Sequence, residues 1–314
     1  MRRPVLTSVA ALVAGLLLAA GCGGTNEEPE RGAAAPQQGG GETVVVAAFN
    51  FSESEILAHL FAGSLNAAGV RATVQGMSTR EAVQPALWAG KVQVVPEYTS
   101  SLTAFLNARD KVAHAGRPSH DLASTMAALR TAAGRHQLVV LDPSRAANQN
   151  VFAVTGQFAR EHRLSTLSDL ARYRGPLVLG GPAECPTRPY CEPGLEEVYG
   201  IHVTGFRRLD PGGPLTKLAL RTGQIHLGLL FSSDPGIEAY GLTVLGDDKR
   251  LQDIDAVVPV VHSGVVSARL TAALNRVTSV LTTGDLMRLN AIADLQHLDP
   301  ATVAEDYLTA KGLA

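Results

Sequence analysis

The chain has 314 residues and a formal net charge of -2, with 46% hydrophobic and 5% aromatic residues. So even a charge balance gives no electrostatic basis for holding nucleic acid or a strongly charged partner, and the length suits two domains of ordinary size. With one Trp, six Tyr and eight Phe, any site that needs several rings draws on a short list.

The chain opens with Met1-Arg2-Arg3, then a mostly apolar run from Val5 to Ala20 that ends Leu-Leu-Leu-Ala-Ala-Gly-Cys. A basic start, a short apolar stretch and small residues before Cys22 read as a lipoprotein signal peptide over residues 1–21, with Cys22 taking the lipid. The alternative is an uncleaved signal or plain anchor, for which the run is short. Residues 22–42 are rich in Gly, Pro, Gln and Glu without apolar periodicity, the composition of a flexible tether. The folded part is therefore expected outside the cytoplasm, held to the outer face of the cell membrane. Cys185 and Cys191, in Glu-Cys-Pro-Thr-Arg-Pro-Tyr-Cys, are expected to pair in that compartment. Closing so small a loop contributes about 2–3 kcal/mol on loop-entropy grounds. The other reading, a metal pair, lacks zinc-type spacing.

From residue 43 strand and helix alternate. The expected order is a buried strand Thr-Val-Val-Val-Ala-Ala-Phe, a helix from Ser52 to Ala68 opened by a Ser52…Glu55 capping box, a strand Val-Arg-Ala-Thr-Val-Gln-Gly, a helix from Thr79 to Ala89, and a strand Val-Gln-Val-Val that stops at Pro96. That βαβαβ order implies a parallel sheet with helices on its faces. A helix from about Ser119 to Ala133 and a strand Leu-Val-Val-Leu come next. After the polar stretch 142–150 a second α/β series runs to about residue 249. The extended segment Ala-Val-Val-Pro-Val-Val-His-Ser-Gly then leads into three closing helices. The pattern gives two α/β lobes, 43–146 with 256–314, and an inserted 147–255, joined by two extended crossings; the alternative is one continuous domain.

In open α/β sheets, ligands bind beyond the carboxyl ends of strands. Asn50, Phe51 and Ser52 come after the first strand, and Tyr98 and Ser101 after the third. In the second lobe Phe231 ends a strand, with Ser233 and Asp234 opening a helix. Asn150 and Arg188 sit on loops that can face the gap. Each has a plainer reading: Ser52 and Asp234 as helix caps, Phe51 as a hydrophobic staple, Arg188 as a solvated loop charge rather than a carboxylate clamp. Trp88 is read as lobe packing.

The stretch Ala-Ala-Phe-Asn-Phe-Ser-Glu-Ser-Glu-Ile-Leu, with Gln-Pro-Ala-Leu-Trp-Ala-Gly-Lys-Val-Gln-Val-Val-Pro-Glu-Tyr-Thr later, resembles the glycine betaine, carnitine and choline receptors of ABC importers. Ser-Ser-Asp-Pro-Gly-Ile, Val-Leu-Gly-Asp-Asp-Lys and the terminal helices extend the likeness over nearly the whole chain after residue 43, and Glu-Cys-Pro-Thr-Arg-Pro-Tyr-Cys resembles an actinobacterial branch. The resemblance implies a type II periplasmic-binding-protein clamshell, two lobes with mixed sheets and flanking helices. It also implies a small-molecule ligand, a partner permease with its ATPase, and no cofactor. Tyr98 matches the family's cage tyrosine, Ser101 its nearby hydroxyl, and Phe231 a position where tyrosine is frequent. A trimethylammonium group offers no hydrogen-bond donor, so aromatic faces are its best desolvated partners. Asn150 stands where many relatives carry tyrosine, Ser54 where Gln is common, and no tyrosine comes after Asp-Asp-Lys-Arg-Leu-Gln. A thin cage is therefore expected, open to a more polar ligand held by Asn50, Asn150, Ser101 and Ser233.

Two other functions compete. A sensory or scaffolding lipoprotein would use the same fold to contact a membrane partner. An extracellular hydrolase would need a nucleophile elbow or a zinc motif, and the sequence has no Gly-x-Ser-x-Gly, no His-Glu-x-x-His and no phosphate loop. No enzyme and no metal site are expected.

Overall fold

The computed structural model describes residues 43–112 and 121–314. The signal peptide, Cys22, the tether and the expected helix start at Ser119 lie outside these residues.

The first strand, β1 (Val44–Ala48), shows why one short apolar run must be central. Val44, Val46 and Ala48 point to one apolar cluster, while Ala47 and Phe49 point to another. A strand buried on both faces reads as a continuous apolar run because its side chains alternate between two covered sides. Helix α1 (Ser52–Ala67) leaves the strand carrying Ile56, Leu57, Leu60, Phe61 and Leu65, all fully buried. Its N-cap is Phe51, in extended conformation, and no side chain caps it. The expected Ser52…Glu55 box is therefore absent: Ser52 is already the first helical residue.

β2 (Ala72–Gly76), α2 (Arg80–Trp88) and β3 (Val94–Tyr98) complete the βαβαβ unit. β3 does not stop at Pro96 but continues to Tyr98. Antiparallel β10 (Val257–His262) places Pro259 opposite Pro96. The flanking bonds run from His262 N to Gln93 O and from Thr99 N to Ala256 O. Counting in steps of two, the facing prolines fall at a non-hydrogen-bonded pair, so neither missing N–H is taken from the β3–β10 ladder. Helix α3 (Thr99–Arg109), not foreseen from the sequence, starts directly from Tyr98. Next come α4 (Leu122–Gly134) and β4 (Leu138–Val140). The first sheet has the order β2-β1-β3-β10-β4, with β1 parallel to β2 and β3, and β10 antiparallel to both its neighbours.

The second sheet is built from β5 (Asn150–Thr155), β6 (Val178–Gly181), β7 (Gly205–Arg208), β8 (Leu227–Phe231) and β9 (Leu242–Val244). Between them lie α5 (Gly156–His162), α6 (Leu167–Leu170), α7 (Glu192–Tyr199), α8 (Pro214–Arg221) and α9 (Gly236–Ala239). Its order, β7-β6-β8-β5-β9, repeats the first sheet's scheme: β6 is parallel to β7 and β8, and β5 is antiparallel to β8 and β9. The expected mixed sheets of a two-lobed α/β fold are therefore present. Three closing helices, α10 (Ala268–Val280), α11 (Thr283–Gln296) and α12 (Pro300–Ala310), return to cover α1. Each apolar cluster packs against one sheet only, two against the first and two against the second.

Where the sheets meet, two chain segments run side by side. Ala147 and Ala256 form an antiparallel bridge, Asn148 N donates to Asp255 O at 3.0 Å, and Val257 N donates to Ala146 O at 2.9 Å. Because Phe61 is fully buried between α1 and its covering helices, Phe61→Ala is expected to lower unfolding free energy by about 3–5 kcal/mol. Urea denaturation would read this as a lower midpoint at unchanged slope.

Candidate functional site

Matching topology brings matching strand ends together. The carboxyl ends of β1 and β3 from the first sheet, and of β6 and β8 from the second, line one cavity of about 470 Å³. Such strand ends leave backbone and side chains free of the sheet, which is why α/β proteins place ligands there.

Six of the chain's fifteen aromatic residues line this space: Phe49, Phe51, Tyr98, Phe105, Tyr190 and Phe231. Phe51 and Phe231 come from different sheets and meet at 5.3 Å between ring centroids. Phe231 is backed by Gly212, whose φ is +70° and whose missing Cβ would lie 3.1 Å from the ring, so a side chain there would be strained and would press on Phe231. Tyr98 is buried at 6% exposure, its hydroxyl donating to Glu53 Oε1 at 2.6 Å. Burial first, and then the Glu53 carboxylate, push the phenol pKa well above its ordinary value, so Tyr98 stays neutral. Tyr190 donates its hydroxyl to Asp253 Oδ2 at 2.7 Å.

Charge is arranged around these rings. Arg80 makes a two-pronged contact with Glu97, Nε to Oε1 at 2.9 Å and Nη2 to Oε2 at 2.8 Å, and lies 5.4 Å from the Phe49 ring centre. Gln84 Nε2 also donates to Glu97, at 2.9 Å, so this buried carboxylate is satisfied. Asp255, on the second crossing, faces the cavity from the start of α3. Its Oδ1 accepts from Ser100 N at 2.8 Å and Ser101 N at 3.1 Å, and its Oδ2 from Ser101 Oγ at 2.5 Å. Burial pushes the Asp255 carboxyl up to about 6, against the opposing pull of Ser101 and of the Arg80 charge.

The wall from the second sheet is the segment closed by the Cys185–Cys191 disulfide, with a Cα–Cα distance of 5.2 Å. It contributes Thr187, Arg188, Pro189 and Tyr190 to the lining, with Glu184 just ahead of it. Arg188 reaches across to α2, where its Nη2 lies 3.0 Å from Glu81 Oε2, and it also lies 3.1 Å from Glu184 Oε1. Burial alone would raise the Glu81 carboxyl; Arg188 more than offsets this and holds it below its ordinary value.

Two α/β sheets facing a ring-lined gap are the architecture of a solute receptor. Residues 42–310 match the substrate-binding domain of the ABC-type glycine betaine transport system. The chain belongs to this family of substrate-binding domains. It is 28% identical over 246 residues to the glycine betaine-binding protein YehZ of Escherichia coli, covering 75% of this chain and 79% of that protein. It is 27% identical over 272 residues to a glycine-betaine-binding protein of Pseudomonas aeruginosa, covering 82% and 84%. Among solved structures, one of a glycine betaine/carnitine/choline ABC transporter superposes with a TM-score of 0.65 at 27% identity, covering 86% of this chain and 99% of that one.

In this substrate-binding domain, seven of the residues expected at the site line the cavity: Asn50, Phe51, Tyr98, Ser101, Asn150, Arg188 and Phe231. Asn150 and Phe231 are register partners on β5 and β8. Three others lie elsewhere. Ser52 is the first residue of α1 and does not line the cavity. Ser233, 1% exposed, gives its hydroxyl to Glu53 Oε2 at 2.6 Å. Asp234 is taken by Lys217, whose Nζ donates to its two oxygens at 2.8 and 2.7 Å, and by Gly236 N. Ser101 is on the wall, but its hydroxyl serves Asp255. Arg188 is neither a solvated charge nor an uncommitted clamp, because two carboxylates hold it. Trp88 packs between the His136 ring, at 4.5 Å, and the Arg109 guanidinium, at 4.6 Å, as lobe packing requires. Asp255, Tyr190, Phe49 and Phe105 join the site without being expected there. Asp255 had one signal in the sequence, an acid on an expected crossing, and Tyr190 another, an aromatic inside a closed cysteine loop. With six rings on the wall, the aromatic surface is larger than the motif departures implied.

Asp255 gives a pH test of the site's electrostatics. Its folded pKa lies above its ordinary value of 3.8, so the folded protein holds a proton that the unfolded chain has lost. Stability is expected to fall as pH rises from 3.8 through about 6, and Asp255→Asn should flatten that part of the unfolding free energy against pH.

Proposed function

We propose that this substrate-binding domain captures a small quaternary-ammonium solute of the glycine betaine, choline and carnitine class in the ring-lined cavity. Its two lobes, 43–146 with 256–314 and 147–255, would close about the paired crossings at Ala147 and Ala256, and the loaded protein would deliver its cargo to a partner permease. The observation that carries this reading is one set of residues: Phe51, Tyr98, Tyr190 and Phe231 share a wall with the Asp255 carboxylate. A methylated ammonium spreads its charge over methyl groups. Ring faces replace its hydration, each desolvated contact contributing up to about 2 kcal/mol, and a nearby carboxylate supplies the countercharge. Asn50, Asn150 and Arg109, on the same wall, offer N–H donors to the carboxylate or hydroxyl end of such a solute.

The lipid on Cys22 and the tether over residues 22–42 would hold the receptor at the outer face of the cell membrane, within reach of its permease. The site would act by binding alone. Its acids Glu81, Glu184 and Asp255 are committed to donors within the protein, and no cluster of three or more His, Cys, Asp or Glu suited to a metal occurs among the described residues.

Calorimetric titration tests the reading. Glycine betaine and choline are expected to bind and the uncharged tert-butyl isostere of choline to bind far more weakly than choline; equal affinity for the isostere would exclude a cation on the rings. Tyr98→Ala is expected to cost about 1–3 kcal/mol of binding free energy. A bound cation favours ionised Asp255, so choline affinity should decline as pH falls through about 6, and that dependence should vanish in Asp255→Asn.

A further inference from the structure

Glu53 lies off the cavity wall, yet its carboxylate is hydrogen-bonded by side chains from four separate parts of the fold. It is the second residue of α1 and is 4% exposed. Its Oε1 accepts from the Tyr98 hydroxyl at 2.6 Å and from Asn148 Nδ2 at 2.8 Å. Its Oε2 accepts from Ser233 Oγ at 2.6 Å and Asn290 Nδ2 at 2.6 Å. These donors belong to four places: the end of β3, the first crossing, the loop after β8 in the second lobe, and α11.

The contacts are cross-braced. Asn148 Oδ1 accepts from Ser233 N and Ser232 Oγ, both at 3.3 Å, and Asn290 Nδ2 also reaches Ser233 O at 3.3 Å. Ser233 therefore cannot move relative to the first lobe without disturbing the same carboxylate that anchors the Tyr98 hydroxyl. A tyrosine ring fixed at both its Cα and its hydroxyl has one orientation; released at the hydroxyl, it can rotate.

We propose that Glu53 is a positioning residue that couples the orientation of the Tyr98 ring to the placement of the second lobe. With Ser233 seated on Glu53, the carboxylate is held from both oxygens and the Tyr98 ring is fixed on the cavity wall. With Ser233 withdrawn, Glu53 can swing and the ring loses its anchor. Ligand contact on Tyr98 and lobe closure at Ser233 then favour each other, as linkage requires. This rests on the reading that the cavity takes a quaternary-ammonium ligand.

The test uses the folded chain with glycine betaine as probe and four variants: Glu53→Gln, Tyr98→Phe, Ser233→Ala and the Glu53→Gln/Tyr98→Phe double. Affinity, urea midpoint and the distance between one spin label on each lobe are measured, the last with and without betaine. Tyr98→Phe keeps the ring but removes its anchor, and is expected to weaken binding about tenfold, with Glu53→Gln similar. The double variant should be no weaker than the worse single, because both cut the same link. Ser233→Ala, remote from the ligand, should also weaken binding and shift the loaded protein's label distances towards the open form. Additive losses in the double variant, or wild-type affinity and label distances in Ser233→Ala, would overturn the proposal. Should Glu53→Gln fail to fold, Ser233→Ala and Tyr98→Phe decide by the same criteria. If the wild type binds no betaine, the functional reading fails separately. The coupling is then judged on the empty protein, where Tyr98→Phe and Ser233→Ala must both broaden the label distances and unchanged distances reject it.

Discussion

A carboxylate removed from water must be given hydrogen bonds in its place, at a penalty of several kcal/mol if it is not. Glu53 is such a group, and the four donors it needs can reach it only if the end of β3, the first crossing, the loop after β8 and α11 all arrive at one point. The requirement fixes the joint between the two sheets more tightly than apolar packing does, since every apolar cluster stays with its own sheet. Two further buried acids repeat the logic around Tyr98. Glu97 is held by Arg80 and Gln84, and Asp255 by the first N–H groups of α3. The central ring of the site is thus placed by polar contacts on three sides.

The two sheets share one wiring scheme, with corresponding strands ending on the same cavity. The duplication explains why aromatic residues after β1 and β3 find aromatic residues beyond β6 and β8. It also explains why the crossings carry site residues. Asn148 and Asp255 sit where the chain passes between sheets, hydrogen-bonded side by side, so the crossings and the cavity wall are partly the same atoms.

Most of the fold is legible in the sequence because its signals are local. β1 and α1 are a continuous apolar run and then a helical apolar face, and three closing helices come after the last extended segment, as the sequence pattern expects. Legibility ends where tertiary partners override a local rule. Pro96 looks like a strand end, yet the antiparallel β10, far along the chain, offers Pro259 opposite it. Helix α3 carries little amphipathic pattern to announce it, and Phe105 is hidden with it. At the site, residues at strand ends can be placed from sequence, because topology alone dictates them. Which hydroxyl or carboxylate each would serve cannot. Ser101, Ser233 and Asp234 are spent on Asp255, Glu53 and Lys217, partners 17 to 180 positions away along the chain.

The covalent ring closed by Cys185 and Cys191 has a consequence for capture. It holds the segment with Arg188 and Tyr190 in a narrow set of shapes before any solute arrives. A receptor whose wall is already formed loses less ordering entropy when its halves meet, so more of the contact energy remains as affinity. In a chain with few rings to spend, that constraint presents Tyr190 to the cavity from a closed covalent ring rather than from a loose loop.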